Sequence, residues 1–298
     1  MPLKQKRFMD QLLQFLISGL TVGAIYALVA LGFSIIYNAS DVVNFAQGEF
    51  VMIGAMSAIF LIHDGLPYPA AVFCAISITV LVGLALDKLA IEPARNATVV
   101  TTIIITIGAS IFLRGAALLI WGKEIYGLPP FTGDAPITIG NATILPQNIW
   151  IMAGTAAAVM AVKYFFDRTL MGKAIMACSF NKKAAFLVGI NVKQMLLVSY
   201  GLSAALGSAA GILVAPITFM SYNSGVMLGL KGFCAAILGG MGSSMGAVAG
   251  GLLLGIIETI GAGFISSGYK DAIAFFVIML VLFFRPSGIL GKAESDRV

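Results

Sequence analysis

The run LLQFLISGLTVGAIYALVALGFSIIY, from Leu12 to Tyr37, carries no charged residue and decides the class of fold. A helix crosses a bilayer core of about 30 Å with roughly 20 apolar residues, and this run is long enough to do so. Similar runs fill almost the whole chain of 298 residues, which is 59% hydrophobic and only 10% charged. The mean hydropathy is +1.00. The sequence therefore predicts an all-α, polytopic bundle of transmembrane helices, with residues 1–298 forming a single domain.

About eight crossings can be placed along the chain, and both ends are expected in the cytoplasm. By the positive-inside rule, the cluster of Lys4, Lys6 and Arg7 assigns the N-terminus to that side. The C-terminus follows by the same rule from Arg285, Lys292 and Arg297. The eight runs are Leu12–Tyr37, Tyr68–Leu86, Val99–Trp121, Asn148–Phe166, Gln194–Pro216, Val226–Leu238, Gly246–Phe264 and Asp271–Phe284.

One further apolar segment, Val42 to Ile62, does not fit this count. If the basic loop that includes Lys88 and Arg95 is cytoplasmic, the chain before it must cross the membrane an even number of times. Three apolar runs precede that loop. We therefore expect Val42 to Ile62 to be re-entrant or broken.

Polar residues also concentrate in this segment, where Asn44, Gln47 and Glu49 lie close to hydrophobic sequence. Polar groups at membrane depth are costly unless they face protein or a water-filled path. Two interpretations remain open. The side chains line a translocation path, or they belong to an ordinary solvated loop in which residues 44–47 cap the helix that follows.

Two connections differ in charge. Residues 122–148 contain four prolines and little positive charge, which is typical of an external loop. Residues 167–193, DRTLMGKAIMACSFNKKAAFLVGINVK, are rich in lysine and arginine and contain a single acid, Asp167. They cannot lie in lipid, and we expect them in the cytoplasm. Within them, Asn181 is a good N-cap and Gly189 a good left-handed C-terminal residue for a helix of about two turns, 182–188. Such a short helix needs a surface to rest on, which indicates a docking element.

The stretch from Gly239 to Gly255 is the most glycine-rich part of the chain. Glycines at four-residue spacing let helices approach closely, so packing alone explains the pattern. The alternative is a broken helix that lines a path, formed by Gly239, Gly240, Gly242 and Ser243 as a counterpart of the polar segment in the first half.

Several functional classes are disfavoured. Cys74, Cys178, Cys234 and the single histidine, His63, have no spacing that suits a disulfide framework or a metal site. Residues 242–246 match the G-x-S-x-G pattern of hydrolases, but that motif needs a strand-to-helix turn and a histidine partner. The sequence contains no P-loop, so any ATP must be bound by another subunit. The net charge of +5 is spread over short loops, which is not the pattern of a nucleic-acid-binding surface.

Two charges fall inside apolar helices. Arg114 lies within two turns of the outer end of its helix, and we expect it to snorkel or to pair with a neighbouring helix. Glu258 would suit a proton or ion relay, but no chain of further carboxylates accompanies it in the sequence. We therefore favour a buried or paired acid held by helix packing.

With these residues in view, the chain resembles the permease subunits of bacterial branched-chain amino acid importers of the ATP-binding cassette (ABC) type, the LivH type. The resemblance covers nearly the full length. The matching stretches are GLTVGAIYALVALGFSIIYN at 19–38, VVNFAQGEFVMIGA at 42–55, TTIIITIGASIFLRGAALLIWG at 101–122, GLKGFCAAILGGMGSSMGAVAGGLLLGIIE at 229–258 and RPSGILGK at 285–292.

The resemblance implies a non-enzymatic transport subunit of the bacterial inner membrane. It also implies partners, namely a second related permease, two ATPase subunits that bind ATP and Mg²⁺, a periplasmic substrate-binding protein and the surrounding lipid. Ala184, Ala185 and Gly189 match part of the motif by which ABC permeases seat a short coupling helix in their ATPase. Lys183 stands where that motif has glutamate, and its later I-x-L-P part is missing.

Related permeases carry branched-chain amino acids, other neutral amino acids, urea or short amides, so the exact substrate stays open. Two other classes compete. A self-contained secondary transporter or channel would need coupling-ion carboxylates and no ATPase. An intramembrane enzyme would need a catalytic pair, with Ser244 as the nucleophile to probe.

Overall fold

The computed structural model describes residues 3–94, 97–133, 135–139, 142–285 and 287–291, and helices dominate these ranges. A π-helical turn, Asp87–Ile91, extends the third helix, and a 3₁₀ turn, Ser267–Tyr269, precedes the last. The helices are α1 Leu3–Ser40, α2 Gln47–His63, α3 Tyr68–Leu86, α4 Val99–Trp121, α5 Pro146–Arg168, α6 Leu170–Phe180, α7 Lys182–Leu187, α8 Val192–Val214, α9 Ser224–Gly239, α10 Ser244–Phe264 and α11 Lys270–Phe284.

Seven helical segments of the described chain are long and apolar enough to cross a membrane. They correspond to α1, α3 with its π-helical turn, α4, α5, α8, α10 and α11 with its 3₁₀ turn. Two further apolar helices, α2 and α9, have 17 and 16 residues. At 1.5 Å per residue, α9 is about 24 Å long, so the predicted span Val226–Leu238 is shorter than a full crossing. The predicted all-α bundle is confirmed, with one small addition. Two strands, β1 Ile137–Ile139 and β2 Ala142–Ile144, form an antiparallel hairpin in the connection between α4 and α5.

Glycines hold α1 and α10 together in antiparallel contact. A Cβ atom built on Gly23 would lie 2.8 Å from the Cα of Leu252, and one built on Gly255 would lie 2.3 Å from the Cα of Gly23. Gly19 and Gly251 make equally close approaches to the partner helix. Side chains at these positions would force the backbones apart, so the four-residue glycine spacing works as close packing.

The two ends of the bundle are distinguished by contacts near the ends of α1. At its C-terminal end, the backbone oxygen of Ser40 accepts a hydrogen bond from Lys182 of α7. Ile289 and Leu290 reach the same end of the bundle, where their backbone N–H groups bond to the last residues of α9. We call this end the coupling face. At the other end of α1, the side-chain amide of Gln14 donates a hydrogen bond to the backbone oxygen of Thr143 in β2 and accepts one from its N–H.

The start and the end of the described chain therefore lie on opposite faces, and the prediction that both lie on one side is wrong. The positive-inside rule was applied to each end separately and weighed short local clusters, so it cannot hold for both the cluster at 4–7 and the basic residues at the other end of the chain. Antiparallel packing against α10 fixes the direction of α1 instead, with Phe15 beside Phe264 at the far end. Arg95, Lys292 and Arg297, used in that assignment, lie outside the described residues, as do the side chains of residues 4–7.

The direction of the helices also decides between the two predicted forms of the segment from Val42 to Ile62, re-entrant or broken. This segment does not return to the coupling face, since Phe60 near the end of α2 packs on the ring of Tyr126 in the connection after α4. The re-entrant form of the prediction is therefore wrong, and the broken form is right. The chain enters the bundle as irregular backbone at 41–46 and becomes helical only at Gln47. Three passes precede the π-helical turn, which agrees with ends on opposite faces.

Candidate functional site

Helix α2 begins in the interior of the bundle, beside the middle of α8. The carboxamide of Gln47 donates to the backbone oxygen of Ser203 at 3.2 Å and accepts from the Ser203 hydroxyl. Ser203 is the central residue of α8. A Cβ atom on Gly32 of α1 would clash with the Gln47 carboxamide, so only glycine leaves room for it there. Gln47 is fully buried, and its contact with the middle of α8 places the start of α2 about halfway along that helix.

Glu49, in the first turn of α2, forms a buried polar cluster with α4. Its Oε1 accepts a hydrogen bond of 2.8 Å from the hydroxyl of Ser110 and lies 3.3 Å from Nε of Arg114. The Glu49 residue is 1% exposed. Its second oxygen, Oε2, has no hydrogen-bond partner among the residues that the structure describes. Intramembrane charges face protein or water and pair with one another, and this pair does so.

Helix α9 begins beside the start of α2. The backbones of Gly48 and Gly225 approach so closely that a Cβ atom on Gly48 would lie 2.1 Å from the Gly225 oxygen. Gly229, one turn further on, is equally confined. Arg114 connects the two starts, because its Nη1 donates to Asn223 Oδ1 at 3.4 Å immediately before α9. From this junction α2 runs to one face of the bundle and α9 to the other.

A cavity of about 130 Å³ lies at this junction. The N-terminal ends of both helices carry partial positive charge, which favours an anionic group nearby, and discontinuous helices of transporters use this arrangement at midplane sites. Glu49 adds an acceptor and Arg114 a charged donor. Small-molecule sites usually measure about 300–1,000 Å³, so this cavity would have to widen before a solute could pass. The lining includes Phe33, Phe45, Glu49, Ser110, Arg114 and Phe233.

Of the three polar residues predicted for the path in the first half, Glu49 lines this cavity, whereas Asn44 and Gln47 are not among its lining residues. Asn44, Gln47 and Glu49 are each at most 1% exposed, so the alternative of an ordinary solvated loop is wrong. Asn44 caps the entry locally, with Oδ1 accepting from the N–H of Ala46. Its Nδ2 has no hydrogen-bond partner among the described residues.

The glycine-rich turn predicted as the counterpart in the second half lies elsewhere, at the coupling face. Gly240 and Gly242 have positive φ values of 104° and 85° in the turn between α9 and α10. Ser243 caps α10 by accepting a hydrogen bond from the N–H of Gly246. Gly239 packs directly on the backbone of Gly246. The start of α9, and not this turn, meets the polar segment. A path role for the turn stays a prediction.

The predicted docking helix forms as α7. Asn181 caps it by accepting a hydrogen bond of 3.0 Å from the N–H of Ala184, and Gly189 follows with φ of 89°. Ala185 is buried against the rest of the chain, while Lys183 and Ala184 are exposed. At the C-terminal end of α7, three large apolar side chains are exposed at the coupling face. They are Phe186, Leu187 and Val188, which are 70%, 83% and 77% exposed.

Lys182 ties this helix to the polar segment. Its Nζ lies 2.7 Å from Oδ2 of Asp41 and donates to the backbone oxygen of Ser40 at 2.7 Å. Asp41 has φ of 62°, an uncommon conformation for a residue other than glycine. Residues 41–46 then lead into the start of α2, so the docking helix and the buried polar cluster are joined by a few residues of chain.

The interpretation of Glu258 as a buried, paired acid is confirmed. Its Oε1 lies 2.8 Å from Nζ of Lys231 and 3.0 Å from Nζ of Lys270, and accepts from the hydroxyl of Tyr26. Sequence reasoning missed these partners, and it also missed Glu49 as the partner of Arg114. Both sets join residues far apart in the chain, and the usable signal was the presence of charges in apolar helices. No group of acidic, cysteine or histidine side chains within the described ranges could hold a metal ion.

Comparison with known proteins places this architecture among transport components. A family model described as "Branched-chain amino acid transport system / permease component" matches residues 15–282. The "High-affinity branched-chain amino acid transport system permease protein BraD" of Pseudomonas aeruginosa is 35% identical over 96% of this chain and 98% of its own. The permease protein LivH of Escherichia coli K12, named for the same kind of system, is 34% identical over 96% and 97%. The solved structure of PsaBC from Streptococcus pneumoniae shares the fold, with a TM-score of 0.55 at 13% identity over 95% of this chain and 96% of that chain.

Proposed function

Because the chain belongs to the family of branched-chain amino acid transport permease components, we propose that it is the transmembrane subunit of an ABC importer in a bacterial inner membrane. It translocates Leu, Ile, Val or a related small neutral solute. Two partner ATPase subunits bind and hydrolyse ATP with Mg²⁺. A second related permease and a periplasmic substrate-binding protein complete the assembly.

The observation that carries this proposal is the exposed apolar end of α7. Phe186, Leu187 and Val188 project from a capped helix on a segment too basic to lie in lipid. Free apolar side chains in water are unfavourable, and exposed apolar patches mark interaction surfaces. In this proposal the partner is the ATPase, whose cleft receives the helix.

Charge supports the orientation that this role needs. Basic side chains are concentrated at the coupling face, which by the positive-inside rule faces the cytoplasm. The connection at 122–145, with its hairpin, then lies outside, as the predicted external loop requires. The basic residues at or near the coupling face are Lys88, Arg168, Lys173, Lys182, Lys183, Lys193 and Arg285.

The link from α7 to the polar segment suggests how ATP binding is coupled to transport. Movement of α7 pulls on Asp41 through Lys182, and residues 41–46 carry the displacement to the start of α2. A shift there separates the starts of α2 and α9 and widens the cavity beside Glu49. Alternating access then follows from different contacts in two states of the assembly.

The first test is co-purification of the tagged chain from detergent-solubilised membranes. Leu187→Asp places a charge on the exposed end of α7, where no intramolecular packing is lost because Leu187 is 83% exposed. We expect an ATPase to co-purify with the wild type and its recovery with the variant to fall at least tenfold. Gly189→Arg, at a position with open space but φ of 89°, should act in the same direction.

Leu290→Asp is the matched control, because Leu290 is 52% exposed on the same face but belongs to a different segment. It should retain the ATPase. Equal recovery with Leu187→Asp and with the wild type would remove the docking role of α7. Absence of an ATPase from the wild type in several mild detergents would count against the importer as a whole and favour a self-contained transporter.

A further inference from the structure

A second cluster of charges, built on the buried pair Lys231 and Glu258, lies between α9, α10 and α11, away from the junction of α2 and α9. Lys231 is 7% exposed, and its Nζ lies 2.8 Å from Glu258 Oε1 and 2.6 Å from Asp271 Oδ1. Lys270 approaches the same Glu258 oxygen at 3.0 Å. The side chains of Lys270 and Asp271 are 41% and 50% exposed, whereas Lys231 and Glu258 are buried. Burying the Lys231–Glu258 pair is expensive even though the two charges are paired, and such groups typically mark solute sites. The proposed path and the docking helix use none of them.

Lys231 and Lys270 line a cavity with a volume of about 340 Å³. That volume falls within the usual range of small-molecule sites, unlike the 130 Å³ cavity at the junction. It lies in the half of the bundle away from the coupling face, since Lys270 begins α11 on that side and Val214 ends α8 there. The walls otherwise are largely branched or flexible apolar side chains, including Val22, Ile25, Ile217, Met227 and Leu228.

The charge balance of the cluster restricts the ligand. Lys231 and Lys270 offset Glu258 and Asp271, so the site is neutral without a ligand. A monocarboxylate would leave a net negative charge in a region of low dielectric, and an amine would leave a net positive one. A zwitterion keeps the site neutral. Its carboxylate can bind the lysine ammonium groups, and the hydroxyls of Thr218 and Ser224, which also line the cavity, can accept from its ammonium group.

We propose that this cavity is a binding site for the zwitterion of a branched-chain α-amino acid, with Lys231 and Lys270 at the carboxylate and the apolar wall around the side chain. It holds the solute on the outer side of the narrow junction before the path opens. The site rests on the proposed transport function for its place in the cycle and for the branched-chain ligand, whereas the zwitterion and its apolar side chain are argued from the lining of the cavity.

The test is equilibrium binding of radiolabelled L-leucine to the full chain in phosphatidylcholine nanodiscs, with whichever subunits co-purify. We expect saturable binding. Leucinamide, which lacks the carboxylate, and 4-methylpentanoate, which lacks the ammonium group, should compete at least tenfold more weakly. Lys270→Met keeps the apolar stem and removes the charge, so it should weaken binding at least tenfold. Its matched control is Lys123→Met, which changes an exposed lysine in the connection after α4 and should bind as the wild type does.

Met227→Trp tests the volume of the cavity without altering any charge. Met227 is 41% exposed at the wall, so the larger side chain can be accommodated in the fold while it fills the site. Leucine binding should again fall at least tenfold. Gel filtration of each variant confirms that a weakened signal does not come from unfolded protein.

Three results would overturn the inference: no saturable leucine binding, equal binding by wild type and Lys270→Met, or loss of binding when phosphatidylethanolamine is included in the nanodisc. The last result would assign the cavity to a zwitterionic lipid headgroup. Failure of the importer proposal is recognised separately. Leucine binding without any co-purifying ATPase would support the binding site and contradict the proposed ABC assembly.

Discussion

The contact between Arg114 and Glu49 explains why a charged residue occurs in each of two apolar helices. Each lies in an apolar helix, and the two form an ion pair of 3.3 Å across 65 positions of chain. The two side chains differ in access to water, because 29% of the Arg114 side chain is exposed but only 2% of the Glu49 side chain. Loss of either partner therefore has unequal consequences.

We predict that Arg114→Gln destabilises the protein more than Glu49→Gln. The first leaves a carboxylate buried without its counter-charge, whereas the second leaves a guanidinium that can turn towards solvent. Removing one partner of a buried ion pair costs about 3–5 kcal/mol, and the exposed partner should recover part of that. Thermal unfolding in detergent, monitored by gel filtration, compares the melting temperatures of the two variants.

Arg168→Gln provides the control, because Arg168 is exposed at the end of α5 and its loss should change the melting temperature little. The double substitution of Glu49 and Arg114 by glutamine should melt above Arg114→Gln alone, since no unpaired charge remains. Equal melting of the two single variants would show that the pair is not the stabilising contact. Transport is expected to fall in both, and undiminished transport by Glu49→Gln would remove its path role.

At the scale of elements, α1 and α10 depend on the absence of side chains where they meet. We predict that Gly255→Ala destabilises the protein by about 1–3 kcal/mol, the usual cost of overpacking. The added methyl group would lie 2.3 Å from the Cα of Gly23, which is backbone and cannot move aside like a side chain. The lowered melting temperature of the purified variant measures this.

Gly108→Ala is the matched control in a helix of similar length. No atom lies within 4 Å of the position of its added methyl group, and alanine favours helix over glycine by up to about 1 kcal/mol. Its stability should therefore be unchanged or slightly higher. A normal melting temperature for Gly255→Ala would mean that α1 and α10 can separate at little cost.

Elements were predicted from sequence as far as local patterns define them. Seven of the eight apolar runs correspond to helices long enough to cross a membrane, and Asn181 and Gly189 predicted α7 almost to the residue. The glycine spacing in residues 239–255 predicted close packing correctly, as the contacts of Gly251 and Gly255 with α1 show. The start of α9 as the partner of α2 was missed, because Gly225 and Gly229 resemble any other pair of helix glycines until their neighbour is known.

At the scale of the molecule, local sequence patterns do not predict on which face of the bundle the chain begins and ends. The basic cluster at 4–7 predicted a start on the same side as the end of the chain, but the packing of α1 against α10 puts the two on opposite faces. We predict that Gln11→Cys, in a chain whose three native cysteines are replaced, reacts with a membrane-impermeant maleimide in intact spheroplasts. Gln11 is exposed near the start of α1, on the face opposite α7.

Two companion sites calibrate this experiment. Lys123→Cys should be labelled in intact spheroplasts, and Lys183→Cys on α7 only after permeabilisation, since both residues are exposed on opposite faces. Labelling of Gln11→Cys only after permeabilisation would place the start of the chain in the cytoplasm and overturn the direction of α1.

The odd number of passes also limits how such chains can be joined. If two copies work side by side in one orientation, a gene fusion must lead from the end of the first copy to the start of the second, and in this structure Gly291 and Leu3 lie at opposite ends of the bundle. No short soluble linker can make that connection. A functional single-chain tandem with both halves in one orientation would therefore need one extra membrane-spanning helix between them.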